Sequence, residues 1–81
     1  MNIQTLVRMA NQIGTFFEPM PDRAQALADI AQHVRKFWEP RMRRKILEHL
    51  DTQQGEGLSD IVRQALNQHR SLVEQGTVPA L

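Results

Sequence analysis

Cysteine is absent from these 81 residues. Its absence excludes disulfides, thiolate nucleophiles, iron–sulfur ligation and the common zinc frameworks. Net charge is nearly absent as well: ten Lys and Arg stand against nine Asp and Glu, a formal +1 with neutral histidines. A free-standing nucleic-acid binder is usually far more basic, so the overall balance disfavours one. No apolar run approaches the ~20 residues that span a bilayer. The opening residues lack the basic-then-apolar pattern of a secretory signal. The expectation from these features is a soluble, cytoplasmic chain.

The motifs of catalysis are missing too. There is no Gly-x-Ser-x-Gly elbow, and Gly55-x-Gly57 lacks the third glycine and the Lys-Ser/Thr of a phosphate-binding loop. The carboxylates are scattered singly. His33, His49 and His69 fall on different predicted helices, with no second histidine three or four residues away. A structural zinc site takes four ligands and a catalytic one usually three, so no metal site is expected. No catalytic or cofactor-binding residue is assigned. At this length a core alone supplies about 3–5 kcal/mol, so small chains often lean on a partner.

What is present is helical periodicity. Ile3, Leu6, Val7, Ala10, Ile13 and Phe17 recur at spacings of three and four, which predicts a helix from about 3 to 17. Met9 and Phe16 widen its stripe. Gly14 costs such a helix about 1 kcal/mol relative to alanine, which a close helix crossing would explain. Glu18-Pro19-Met20-Pro21 stops it. Asp22 then caps a second helix with Ala24, Leu27, Ala31, Val34 and Trp38 on one face and Ile30 and Phe37 alongside. Its alanines suggest close packing against the first helix near Gly14.

Pro40 marks a corner and opens a third helix to about Gln53, carrying Met42, Ile46, Leu47 and Leu50. The cationic first turn of that helix lies at the end that favours anions, so an acidic partner or solvent must offset it. Gln54-Gly55-Glu56-Gly57 reads as a loop. A fourth helix is predicted from Leu58 or Ser59 to Gln75, with the Ser59 hydroxyl as its cap and His69 on its apolar stripe. Gly76 is the expected stop. No β-alternation of useful length appears. The predicted fold is all-α: a small single-domain bundle of three to four helices over residues 1–76, followed by a short mobile tail at 77–81.

The densest signal is the run from His33 to Lys45. It holds the only tryptophan, a phenylalanine and six Lys or Arg, with Glu39 as its single acid. Aromatics beside arginines at a bend are the residues that anchor protein interfaces. Arginine forks suit carboxylates, phosphates and partner surfaces. The simpler reading is that Phe37 and Trp38 plug the helix corner while the arginines form a solvated rim. Phe16, about 100° from Phe17 around its helix, is either wider core or an exposed anchor.

Three stretches resemble the small delta subunit of soluble, NAD-dependent, molybdenum-containing formate dehydrogenases. They are Leu6 to Phe17, then Ile30 to Val34 running into Phe37-Trp38-Glu39-Pro40-Arg41-Met42-Arg43, and more weakly Gly55 to Ser59. The middle stretch is the specific one. The resemblance implies an accessory subunit without a redox centre. In such enzymes the alpha subunit carries the molybdenum bis-pterin guanine dinucleotide, while iron–sulfur clusters and FMN in the alpha, beta and gamma subunits pass electrons to NAD. The expected role is non-catalytic: binding the alpha subunit and supporting assembly, stability or cofactor insertion. Partner contact is expected at Phe16, Phe37, Trp38, Pro40, Arg41, Met42 and Arg43. A transient assembly chaperone for the same enzyme is the alternative, and a small nucleic-acid-binding helical protein is a weaker one.

Overall fold

The computed structural model describes residues 2–75. Asn2 opens the first helix, α1 (Ile3–Phe17), by accepting the Gln4 amide on its side chain at 2.6 Å. The Glu18 amide closes it onto the Gly14 carbonyl. Asp22 caps α2 (Arg23–Phe37) as its residue type dictates, accepting the Gln25 amide at 3.2 Å. Pro40 sits at the start of α3 (Pro40–Gln53), where its missing N–H costs nothing. Gln54 then takes a left-handed conformation and the chain turns through Gly55 and Gly57, both at positive φ.

The predicted fourth helix is divided. It forms α4 (Asp60–Gln68) and α5 (Arg70–Gln75), which gives five helices among the described residues in place of the expected three to four. The break is at His69, whose φ of −111° and ψ of 33° leave the helical region. Its amide still closes α4 onto the Ala65 carbonyl, and its own carbonyl accepts the Val73 amide. The bend turns α5 onto α2 and α3. Val73 is thereby buried, and Arg70 reaches Asp51 of α3 through a two-nitrogen fork while also meeting Glu74. The hydrogen bond to Asp51 is the main reason that the Arg70 pKa is raised. Ser59 occupies the cap position of α4, but its hydroxyl makes no capping bond, contrary to the sequence expectation. The expected stop at Gly76 and the tail at 77–81 lie outside the described residues.

One core joins all five helices. α1 contributes Leu6 and Ala10; α2 contributes Ala26, Leu27, Ile30, Ala31 and Val34; α3 contributes Ile46, Leu47 and Leu50. Ile61, Val62, Ala65 and Leu66 come from α4 and Val73 from α5. Within α2 the inward alanines are Ala26 and Ala31, while Ala24 is exposed. Gly14 does mark a close crossing, but with α4 rather than α2. A Cβ there would lie 2.6 Å from the Val62 Cγ2 and 3.2 Å from the Ile61 Cγ2.

Candidate functional site

The α2–α3 corner is built around an inward-facing arginine. Arg43 follows the same face as Ile46, Leu47 and Leu50, three, four and seven residues on, so the geometry of α3 buries it with them. It is 4% exposed. Its Nη1 donates to the carbonyls of Arg35 and Trp38, two acceptors at the end of α2 where the helical ladder runs out. Burial lowers the Arg43 pKa, with the Arg35 charge as a smaller contribution. The guanidinium is therefore an internal brace.

Trp38 is also inside, at 5% exposure, and belongs to the core cluster. The expectation that Trp38 and Arg43 are surface anchors is corrected on this point: both side chains are already committed within the chain. The corner needs Trp38 to fill the space between α2 and α3, and needs Arg43 to satisfy the carbonyls that the bend strands.

The other corner residues stay outside. Pro40 and Arg41 are exposed and Met42 is half-buried. Phe37 is 64% exposed and Phe16 is 76% exposed. These two phenylalanines come from α2 and α1, yet one row of rings joins them. Phe16 meets Phe17 edge-on at 5.0 Å between centroids, Phe17 meets His33 at 6.3 Å, and His33 tilts against Phe37 at 4.7 Å. Lys36 places its ammonium 5.5 Å from the centre of the Phe37 ring.

Beside the row runs a groove of about 560 Å³. Met9, Gln12, Ile13 and Phe16 come from α1, and Phe37 and Met42 from the other side of the corner; Phe17, His33 and Trp38 complete its lining. Its surface is mostly apolar. Met42 is shared with an adjoining, charged cleft lined by Arg41, Arg44, Lys45, Glu39, Glu48 and Leu6. Arg41, Arg44 and Lys45 make no ion pair among the described residues, whose salt bridges lie at Asp60–Arg63 and around Arg70.

Of the residues expected at the site, the groove brings together Phe16, Phe37 and Met42, with Trp38 as the floor, while Arg41 lines the adjoining cleft. Sequence reasoning missed His33 and Phe17 as links in the ring row. The signal was available: His33 and Phe37 are four residues apart on one helix, and Met9 and Phe16 flank the stripe that carries Ile13 and Phe17. Among the described residues, no group of three or more Asp, Glu and His side chains is placed to hold a metal ion, and no helix is long and apolar enough to cross a membrane.

A further contact ties the first and third distinctive sequence stretches together. Asn11 donates from Nδ2 to the Gly57 carbonyl and accepts the Ser59 amide on Oδ1, both at 2.9 Å. One carboxamide thus fixes the loop that delivers α4 to the Gly14 crossing. His49 donates from Nε2 to the Glu56 carbonyl on the other side of the same loop.

Residues 5–66 match the protein family described as NADH-dependent formate dehydrogenase delta subunit FdsD. That span takes in most of α1, all of α2 and α3, most of α4 and the whole aromatic groove. No curated protein and no solved structure matches the chain.

Proposed function

The chain belongs to the FdsD family of NADH-dependent formate dehydrogenase delta subunits, and from that premise we propose that it is a non-catalytic accessory subunit docking through its aromatic groove. The partner is the molybdenum-carrying alpha subunit, within a complex completed by beta and gamma subunits. The molybdenum pterin, the iron–sulfur clusters and FMN belong to those other subunits. The chain's contribution is to assembly and stability of the alpha subunit, including the stage at which its cofactor is inserted.

The observation that carries this reading is the exposure of Phe16 and Phe37 on the lips of one apolar groove. Each would gain roughly 1.5–3 kcal/mol when fully buried. Large exposed aromatics gathered at one concave face, beside cations (Arg41, Arg44 and Lys45) that make no ion pair among the described residues, match the composition of interface hot spots. Trp38 supports the groove from beneath, and Arg43 holds the corner that displays it.

Co-expression with the other subunits tests the reading. Phe16→Ala and Phe37→Ala should each cost at least about 2 kcal/mol of association, close to 30-fold, if they are hot spots. Undiminished co-purification of the double variant overturns the docking site. Subunit stoichiometry in the mature enzyme separates a permanent subunit, expected at one copy per alpha subunit, from a chaperone that leaves after cofactor insertion.

A further inference from the structure

Taking the groove as the docking face proposed above, we infer that its occupant is an acidic amphipathic α-helix of two to three turns on the partner subunit. Length sets the first condition. The ring row from Phe16 to Phe37 advances by steps of 5.0, 6.3 and 4.7 Å. Laid end to end they reach no further than about three helical turns at 5.4 Å per turn. Such a helix presents apolar residues at i, i+3 or i+4, and i+7 along a groove of this length.

Backbone chemistry sets the second. A partner segment binding as a β-strand needs a sheet edge to pair its amides and carbonyls. The described residues form helices only and offer no such edge. A helix satisfies its own backbone and needs only an apolar face.

Charge sets the third. Lys36 stands at the Phe37 lip, and Arg41, Arg44 and Lys45 line the cleft that joins the groove at Met42. Glu39 and Glu48 share that cleft, leaving a cationic excess, and Arg41, Arg44 and Lys45 lack ion pairs among the described residues. Arg41 lies in the first turn of α3, where the helix dipole already disfavours positive charge. Carboxylates on the flank of the incoming helix would answer both. A second copy of this chain would instead set a net-cationic rim against itself across a two-fold axis.

The test uses the assembled complex. A photo-cross-linking p-benzoylphenylalanine replaces Phe16, Phe37 or, to leave both rings intact, the exposed Gln12 on the same lip. Adducts mapped by mass spectrometry are expected on one helical partner segment with Asp and Glu flanking its apolar face. The combined Arg41→Glu, Arg44→Glu and Lys45→Glu variant should associate at least about 10-fold more weakly at low salt, with the deficit shrinking as salt screens the pairs. Adducts on an extended or basic segment, or on a second copy of this chain, overturn the acidic helix but leave docking at the groove standing. An unweakened triple variant overturns its acidic character. If the chain stays bound and none of the three positions cross-links, docking at this groove fails as well.

Discussion

Arg43 donates through Nη1 to the carbonyl of Trp38 at 2.6 Å, so a cation from the start of α3 closes the end of α2. The same nitrogen serves Arg35. Arg43→Met keeps much of the apolar stem but leaves both carbonyls without this donor. The expected loss is about 1.5–3 kcal/mol, the range for a hydrogen bond to a charged group. Arg43→Lys should recover only part of it, because an ammonium is more strongly hydrated than a guanidinium and costs more to bury. Urea unfolding checks both. Wild-type stability in Arg43→Met would mean that water satisfies the corner equally well.

Gly14 decides how closely α1 approaches α4. Alanine gains about 1 kcal/mol in helix propensity, but its methyl would fall 2.6 Å from the Val62 side chain. Overpacking a filled core typically costs 1–3 kcal/mol, so Gly14→Ala is expected to be destabilising on balance. Pairing it with Val62→Ala removes the clash, and the double variant should lose less than the sum of the two single changes. Additive losses in a double-mutant cycle would place the strain elsewhere.

Asn11 holds the loop before α4 by two hydrogen bonds 46 and 48 residues away in sequence. Asn11→Ala should cost about 1–3 kcal/mol. Asn11→Asp keeps the acceptor for Ser59 but turns a donor into an acceptor facing the Gly57 carbonyl, so it should not restore full stability. Thermal melts rank the three proteins. Hydrogen exchange at Ser59 should quicken in Asn11→Ala before exchange in the middle of α2 does.

The corner residues should separate into two groups. Phe16 and Phe37 are exposed, so truncating either to alanine should change folding stability by no more than about 1 kcal/mol while weakening association. Trp38 is in the core, and Trp38→Ala should cost about 3–5 kcal/mol. Chemical denaturation of the isolated chain beside co-purification with partner subunits resolves the pattern. A stability loss at Phe16 as large as at Trp38 would place that ring in the fold rather than at an interface.

Much of the helical layout was legible because helix periodicity is a local property. The apolar spacings of α1 gave its span of Ile3–Phe17, and Asp22 and Pro40 acted as a cap and a first-turn proline as their chemistry requires. Arg43 shows where local reading stopped. It sits on the apolar stripe of α3, but a cation is ordinarily placed at the surface, and only the stranded carbonyls of α2 explain its burial. The break at His69 was equally hidden. The stripe from Leu58 to Val73 continues through it, and the bend answers to the positions of α2 and α3 rather than to any residue that stops a helix.

The run from His33 to Lys45 was identifiable as a candidate interface from composition alone, but composition does not assign direction. The sequence by itself determined that the chain is all-α, which faces of its helices are apolar, and where the aromatic and basic residues concentrate. Tertiary structure alone decided that Gly14 meets α4, that Trp38 and Arg43 turn inward, and that Phe16 joins Phe37 across two helices to frame a groove. The physical reason is range. Periodicity and capping act within one or two turns, whereas the choice between core and surface at a corner depends on space and unsatisfied carbonyls created by helices far apart in the chain.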